Sequence, residues 1–534
     1  MRTVLAAGTV AAIVALYVLR LDHAAGLYVD DAWYIVLAES VWRGQGFRLI
    51  SSATTPILPA FPPGFAVMLA PVVGLAPHFP DNVFALKAVS MAAMAGVAAC
   101  SYLYVARCYE APRSVAAAVA IVTVTLPAFV FLATSTVMAE AAFTLSQLLL
   151  ALAIERTART DAVPSRRAAV ITSGVIGGAG LLIRLAGIAS VAGAALYLWR
   201  RRGFKSAAAF ATVVMVCYAP WAFYSLANAA PLDERTAHGG SITYRYDELL
   251  LMRRGGEPSS GRATLADLPP RIAFNVLSIF GGDTAAFVFP MAFRGPSESG
   301  TEAFKLTPET GLRASGMGGN AAVVWVASAT SLLMLIGFGA TVRRRPTVAD
   351  YMVPLTIAMV LLVPARTFRY VLPLAPFLIF QFFRGVDAVT RMMMRHAAPF
   401  GAAFRISAAC VIALFATEHA QYILLMRTGP PPAWLKDYEE VKGVTDWMRD
   451  NLPREGPVAA SNPALVYLTT GRKTIGVTNL APAWRALQRT GVPYGVALRV
   501  AEPPPASLGF PVIYQSPRLK LWVVELPAAM PDRK

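Results

Sequence analysis

The chain has 534 residues, of which 56% are hydrophobic and only 15% are charged, and its mean hydropathy is +0.53. This composition excludes an ordinary soluble globular protein and is typical of an integral membrane protein. The formal net charge of +17 would suit a nucleic-acid partner, but the basic residues lie in short loops between apolar runs and form no face with interleaved aromatics, which argues against nucleic-acid binding.

Runs of about 17–25 apolar residues are long enough to cross a bilayer as helices. The chain contains about eleven of these runs, so we predict an α-helical polytopic membrane protein. We interpret the first run as an uncleaved span, although Ala24-Ala25-Gly26 would also suit cleavage of a signal peptide. The predicted spans are residues 3–21, 82–106, 115–132, 137–155, 168–183, 186–199, 206–227, 320–342, 350–365, 370–388 and 406–426.

Basic loops determine the predicted orientation. If the spans alternate, the arginine-bearing loops near 107–113, 156–167, 200–205, 343–345 and 391–405 all lie on one side of the membrane. The positive-inside rule assigns that side, which also holds the N-terminus, to the cytoplasm. The outer loops 22–81 and 228–319 and the C-terminal tail then face outward. The Ala- and Arg-rich composition is compatible with a bacterial inner membrane.

The first outer loop contains Tyr28-Val-Asp-Asp-Ala-Trp-Tyr34, which places the adjacent carboxylates of Asp30 and Asp31 at a membrane surface. Residues 32–43 predict an amphipathic helix lying along that surface, with aromatic residues at the headgroup level. The two carboxylates could bind a divalent metal, deprotonate a hydroxyl, or do both. Alternatively, Asp30 caps this helix and Asp31 stabilises its first turn. The proline-rich segment 62–77 predicts a surface or re-entrant segment.

Two further regions face outward. The loop 228–319 is polar and rich in glycine and proline, and could cover a cavity on the outer face. The composition changes again at Gly429, so residues 1–428 form the predicted transmembrane domain and residues 429–534 a small extracytoplasmic α/β domain. This second domain has no nucleophile motif, metal cluster or phosphate loop, which indicates an accessory role. Its predicted elements are helices at 435–451 and 484–490 and strands at 458–460, 474–477, 495–500 and 519–524.

Ionisable groups inside or at the ends of spans are costly and therefore suggest function. Each has a structural alternative, such as snorkelling to the interface, stabilising a helix N-terminus or binding lipid headgroups. Together with the two aspartates they put acids and bases on one face of the bilayer, and arginine forks suit phosphate oxygens. We therefore expect a phosphate-headed lipid substrate in the outer leaflet. The residues concerned are Lys87, Glu140, Arg184, Arg366, Arg369 and the neighbouring Tyr370.

Six short motifs follow one another along the chain. They are Asp30-Asp31-Ala-Trp-Tyr34, Phe61-Pro-Pro-Gly64, Met138-Ala-Glu140, Leu182-Ile-Arg184, Arg369-Tyr-Val-Leu-Pro-Leu-Ala-Pro-Phe377 and Tyr467-Leu-Thr-Thr-Gly-Arg472. With the predicted topology, this order resembles the GT-C superfamily of membrane glycosyltransferases over most of the chain. The most similar branches are the protein O-mannosyltransferases of glycosyltransferase family 39 type and the bacterial aminoarabinose and rhizobial galacturonic acid transferases.

The resemblance implies an inverting sugar transfer at the outer face, from a polyprenyl-phosphate-linked monosaccharide to an envelope lipid, glycan or protein acceptor. It implies Asp31 or Asp30 as the base and Glu140 as a second acid. Many relatives have Asp-Glu in place of Asp-Asp, so the role of each carboxylate stays open. Metal dependence varies among relatives, which leaves Mg²⁺ or Mn²⁺ on Asp30, Asp31 and Glu140 as an alternative to metal-free chemistry. The implied donor phosphate ligands are Lys87, Arg184, Arg366, Arg369 and Tyr370.

Two other classes of protein compete with this interpretation. A transporter or flippase of a lipid-linked sugar would share the cationic phosphate-binding residues. Transporters, however, tend to have internal repeats and sites at the bilayer midplane, whereas this chain shows no clear repeat and its charges map to one surface. An envelope scaffold would not need paired acids beside the membrane. We therefore expect a transferase.

Overall fold

The computed structural model of the chain confirms the predicted fold class. It describes residues 2–28, 30–229, 245–253, 260–290, 321–364, 368–394, 396, 398–429, 433–453, 456–477, 492–498 and 510–526. This part of the chain is mostly helical and ends in a small sheet domain. Arg366 and the helix predicted at 484–490 lie outside the described residues.

Each predicted span contains a helix. In chain order the helices are α1 (Arg2–Arg20), α2 (Asp30–Trp42), α3 (Gly64–Leu75), α4 (Val83–Arg107), α5 (Arg113–Val124), α6 (Pro127–Thr134), α7 (Glu140–Arg159), α8 (Val163–Ile183), α9 (Ile188–Arg202), α10 (Phe204–Asn228), α11 (Tyr246–Leu251), α12 (Leu268–Ser278), α13 (Ala321–Arg344), α14 (Ala349–Leu361), α15 (Phe368–Val371), α16 (Ala375–Met393), α17 (Ala402–Thr428), α18 (Ala433–Asn451) and α19 (Pro463–Thr470).

Length and apolar composition do not settle the number of membrane spans. Among the described residues, 7 helical segments are long and apolar enough to cross a membrane, or up to 8 if α5 and α6, which meet at a bend of 49°, form one span. Other predicted spans contain shorter helices, such as α1, α9 and α14. The count of about eleven therefore stays a prediction.

The two ends of the helix bundle differ in charge. Helix α7 has 20 residues and is therefore about 30 Å long, with Glu140 at one end and Arg159 at the other. At that second end the basic loops touch one another. The Arg159 Nη1 donates to the Arg107 carbonyl at 3.2 Å, and Arg345 forms an ion pair with Glu110. These contacts place several of the predicted cytoplasmic loops at the same end of the bundle.

Helix α2 is not the surface helix that the sequence predicted. Five consecutive side chains, from Trp33 to Leu37, are buried, so apolar contacts surround the helix on every face. Helix α3 packs against α2, and α19 of the C-terminal domain also contacts it. The prediction was wrong because this cover comes from distant parts of the chain. Of the aromatic residues expected at the headgroups, only Trp42 is exposed, at 54%.

The C-terminal domain holds five described strands, which are β1 (Val458–Ala460), β2 (Thr474–Gly476), β3 (Tyr494–Ala497), β4 (Val512–Gln515) and β5 (Trp522–Glu525). They form a mixed sheet in the order β2-β1-β3-β5-β4. Strand β1 runs parallel to β2 and β3, whereas β5 runs antiparallel to β3 and β4. The β2 edge continues onto the loop 22–81, since the Thr474 amide donates to the Ser51 carbonyl at 2.8 Å. We did not predict β4 from the sequence.

Helices α13 and α16 cross in direct backbone contact. An ideal Cβ on Gly337 would lie 1.8 Å from the Gln381 carbonyl oxygen, so only glycine allows this approach. Small residues commonly serve this purpose between membrane helices, where backbones pack closely.

We expect Gly337→Ala to separate α13 from α16 and to destabilise the protein by about 1–3 kcal/mol. Gly339→Ala is the matched control, because a Cβ at that position would meet nothing within 4 Å. The thermal midpoints of the purified variants in detergent test this. Equal midpoints for the two variants would contradict the crossing geometry.

Candidate functional site

Arg369 joins the first outer loop to the helix bundle. This residue lies in α15, and its Nη1 donates to the Asp30 Oδ2 at 2.9 Å. Its Nε donates to the Glu140 Oε1 at 2.7 Å. Asp30 is the first residue of α2 and Glu140 is the first of α7, so one guanidinium holds the beginnings of two helices together.

A second arginine shares the Glu140 carboxylate. The Nη1 of Arg184 donates to the same Oε1 at 2.6 Å, and the guanidinium lies 5.7 Å from the ring centroid of Tyr370. Arg184 ends α8 in an extended conformation, with φ −149° and ψ 126°, before a single 3₁₀ turn leads into α9. This break, at the end of the bundle that holds Glu140, turns the Arg184 side chain toward Glu140.

The four charges of this cluster differ in their access to solvent. The side chains of Asp30 and Arg369 are each 26% exposed, whereas the Glu140 side chain is fully buried and that of Arg184 is 10% exposed. A ligand can therefore reach the cluster through the Asp30–Arg369 pair. Glu140 lies behind this pair and is held by two guanidinium groups.

Asp31 is fully buried, in contrast to its neighbour. Its Oδ2 accepts a hydrogen bond from the Gly26 amide at 2.6 Å, and its Oδ1 accepts one from the Ala32 amide at 3.0 Å. Both oxygens thus bind backbone, and they tie the first turn of α2 to the segment before it. The structure separates two carboxylates that the sequence left equivalent.

We expect the Asp31 carboxyl to make stability depend on pH. Burial raises its pKa from 3.8 to about 6, although the hydrogen bonds from Gly26 and Ala32 oppose that rise. Because the pKa is higher in the folded state, the protonated form stabilises the fold; this contribution is complete below pH 3.8 and is lost as the pH rises through about 6. Two pKa units correspond to about 3 kcal/mol.

The thermal midpoints of the wild type and of Asp31→Asn, recorded from about pH 4 to about pH 7, measure this effect. The midpoint of the wild type should fall relative to that of the variant as the pH rises. Parallel curves would show that Asp31 does not titrate in this range.

Lys87 has a partner of its own. This fully buried lysine of α4 donates from its Nζ to the Asp22 Oδ1 at 2.9 Å and to the Asp22 carbonyl at 2.6 Å. We did not predict Asp22 as a partner of Lys87 from the sequence, although opposite charges just after the first predicted span and early in the second are a signal for such a pair. The structure therefore gives Lys87 a role in anchoring the segment after α1, and its role as a phosphate ligand stays a prediction.

Asn275 supports the segment that carries Arg369. Helix α12 lies within the predicted polar loop 228–319 and carries Asn275. The Asn275 Nδ2 contacts the carbonyls of Val360, Leu361 and Val363 at 3.3, 2.9 and 3.0 Å. These carbonyls lie in and just after the last turn of α14, where regular helical hydrogen bonding ends. A polar side chain of the 228–319 loop thus fastens the end of α14 shortly before Arg369.

The carboxylates of this region contact guanidinium groups and backbone amides. Within the described ranges, no three His, Cys, Asp or Glu side chains are grouped so that they could hold an ion. Asp30 and Glu140 face Arg369, and Asp31 faces backbone amides. A cation shared by Asp30, Asp31 and Glu140 would compete with these donors, and metal dependence stays a prediction.

No protein-family model matches the sequence, and no curated protein sequence matches it. Solved structures do match. ArnT from Cupriavidus metallidurans bound to undecaprenyl phosphate has a TM-score of 0.50 and 12% identity, over 99% of this chain and 99% of that chain. The Archaeoglobus fulgidus oligosaccharyltransferase in complex with Zn and sulfate has a TM-score of 0.53 and 13% identity, over 88% of this chain and 63% of that chain.

Both neighbours are GT-C glycosyltransferases. At these identities the match concerns the arrangement of helices and of the C-terminal domain. The match with ArnT runs over nearly the whole of both chains, so the transmembrane helices and the sheet domain fall within a single known architecture. The chain therefore shares the fold of these two solved structures.

Proposed function

We propose that the chain is an inverting membrane glycosyltransferase. It moves a monosaccharide from a polyprenyl-phosphate donor to an envelope lipid, glycan or protein acceptor at the outer face of a bacterial inner membrane. Its N-terminus faces the cytoplasm and its C-terminal domain lies outside. The basic loops that meet at the far end of the bundle support this orientation.

The observation that carries the proposal is the ion-pair cluster of Asp30, Glu140, Arg184 and Arg369. It lies at the end of the bundle opposite the basic loops, as a site for an outer-leaflet lipid requires. Its accessible edge combines a carboxylate with a guanidinium, which are the two groups that transfer from a phosphate donor needs. The neighbouring fold supports the donor class, since ArnT was solved with undecaprenyl phosphate bound.

In the proposed reaction the acceptor hydroxyl oxygen bonds to the anomeric carbon while the bond from that carbon to the phosphate oxygen breaks, with inversion. The hydroxyl proton passes to the Asp30 carboxylate. Arg369 stabilises the negative charge on the departing polyprenyl phosphate, and the more buried Arg184 adds a second positive charge to the site. A phosphate oxygen that approaches Arg369 competes with Asp30, so donor binding would release the carboxylate for its acceptor.

Burial assigns the carboxylate roles within this proposal. Asp30 is the base because a substrate can reach it, whereas Asp31 anchors the turn. Glu140 orients both arginines and is not a proton acceptor. Lys87, Arg366 and Tyr370 are further candidate donor ligands, of which Arg366 lies outside the described residues.

The test uses a strain that lacks the chain. Its envelope extract in detergent should contain both the unused polyprenyl-phosphate sugar and the unmodified acceptor. Adding the purified wild-type protein should transfer one sugar, and mass spectrometry of the products would identify the sugar and the acceptor. A parallel reaction with EDTA, restored by Mg²⁺ or Mn²⁺, tests metal dependence.

The detergent extract also separates the transferase from the flippase. Detergent micelles have no inner and outer face, so a flippase cannot change the products there, whereas a transferase can. If the purified protein changes nothing while the deletion strain still loses a sugar in cells, transport replaces transfer.

A further inference from the structure

The segment of residues 22–28, which links α1 to α2, is held from two sides. On the membrane side, Lys87 binds the carboxylate and carbonyl of Asp22. On the outer side, the C-terminal domain covers the segment. His23 pairs with Glu439 of α18 at 2.5 Å, and its ring lies 5.8 Å from that of Tyr438.

Asn462 makes the most direct of these outer contacts. This residue is 4% exposed, and its Nδ2 donates to the Gly26 carbonyl at 2.8 Å. Its Oδ1 caps α19 by accepting from the Leu465 amide at 3.4 Å. One side chain therefore performs two separable tasks, since the oxygen serves its own helix and the N–H serves the first outer loop.

The backbone conformation of Gly26 allows this contact. Its φ of +88° lies in the left-handed region, and an ideal Cβ would lie 2.7 Å from the Leu465 Cδ1. Glycine alone combines this conformation with the close approach of α19. The backbone of residue 26 is therefore in direct contact with the C-terminal domain.

The same glycine holds Asp31. Its amide donates to the Asp31 Oδ2 at 2.6 Å, so hydrogen bonds run from Asn462 through Gly26 to the first turn of α2. Asp30 precedes Asp31 in that turn. Because the Asp31 side chain is locked at both oxygens, a shift of Gly26 would rotate the beginning of α2 and displace the Asp30 carboxylate.

We propose that Asn462 is a positioning residue that sets the Asp30 carboxylate in place through Gly26 and Asp31. The C-terminal domain is thereby part of the active-site scaffold and not an accessory to it. This inference rests on the proposed function, in which Asp30 is the base.

Other contacts keep the domain docked when this hydrogen bond is lost. The Thr474 amide bonds to the Ser51 carbonyl at 2.8 Å, and the Lys473 ammonium bonds to the Ile50 carbonyl. A change confined to the Asn462 amide should therefore alter geometry at Asp30 without releasing the domain.

Two substitutions break this hydrogen bond and keep an oxygen to cap α19. Asn462→Asp removes the donor, and Asn462→Ser shortens the side chain, so that its hydroxyl should not reach the Gly26 carbonyl. Asn451→Asp is the matched control, because Asn451 is an exposed asparagine of α18 whose Nδ2 binds the Trp447 carbonyl within the same helix. Initial rates in detergent are measured against the concentration of polyprenyl-phosphate sugar extracted from the deletion strain. Thermal midpoints are recorded for every variant.

We expect kcat to fall about 10-fold or more in both Asn462 variants, since misplaced catalytic groups are costly, with KM for the donor within about 2-fold. Wild-type kcat in either folded variant would overturn the inference. If both variants lose kcat and also have a lowered thermal midpoint, the inference is overturned as well, because the role of Asn462 would then be structural.

The proposed function fails in a different way. If the wild-type protein transfers no sugar, or if Asp30→Asn transfers it normally, the assignment of the reaction or of its base is wrong. If the wild type is active, Asp30→Asn is inactive and both Asn462 variants are normal, only the positioning role is lost.

Discussion

The Asp30→Asn variant should fold normally and lose transfer by a factor of about 10² to 10⁴, the usual contribution of a general base. The amide keeps the shape of the carboxylate and can still accept a hydrogen bond from Arg369, but it cannot take the acceptor proton. The side chain is 26% exposed, so the weakened ion pair should cost at most about 1 kcal/mol of stability. Initial rates and thermal midpoints in detergent measure the two effects.

Glu39→Gln provides the control on the same helix. Glu39 also pairs with an arginine, because its Oε1 lies 2.5 Å from the Arg43 Nη2, but this pair is two turns away from the cluster. We expect normal transfer from it. If Asp30→Asn transfers at the wild-type rate, Asp30 is not the base, and the buried Asp31 could take that role only if the 22–28 segment opened during the reaction.

The members of the ion-pair cluster could be found from sequence because charges at the ends of apolar spans are costly. Glu140, Arg184 and Arg369 each had a structural explanation when taken singly. Their predicted place on one face of the membrane made a shared site the better interpretation. The structure links them to Asp30 through a chain of ion pairs, which runs from Arg184 to Glu140, from Glu140 to Arg369 and from Arg369 to Asp30. Hydropathy and the basic loops were enough for this because they determine to which end of the bundle a residue belongs.

Access to the site could not be predicted in the same way. Asp30 and Asp31 are neighbours with the same chemistry, and their difference depends on the rotation of α2 and on what covers it. The cover includes Asn462 and Leu465, more than 430 residues later in the chain. The pairing of Lys87 with Asp22 also depends on how two helices pack, and periodicity within a helix does not report this.

Arg369→Met should reduce both stability and transfer. The variant leaves Asp30 and Glu140 with Arg184 as the remaining cation of the cluster, so a fully buried carboxylate loses one of its two partners. Breaking a buried ion pair in this way typically costs about 3–5 kcal/mol, and the lower end applies here because Arg184 remains. Loss of the accessible cation should also slow the departure of the phosphate by about 10²-fold or more.

Arg43→Met is the matched control for the loss of an arginine. Arg43 also pairs with a carboxylate, that of Glu39, but its side chain is 52% exposed. An exposed pair of this kind is worth about 1 kcal/mol or less. The thermal midpoint of this variant in detergent should therefore stay close to that of the wild type, and its transfer rate should be unchanged.

The double variant Arg369→Met, Glu140→Gln separates charge balance from catalysis. It removes one positive and one negative charge and leaves Asp30 and Arg184 as the charged members, so the cluster is again neutral. We expect its thermal midpoint to recover most of the loss, whereas transfer should remain as low as in the single variant, since no accessible guanidinium meets the phosphate. Recovered transfer would mean that Arg369 serves only to neutralise Glu140, and the phosphate would then have to bind elsewhere on the outer face.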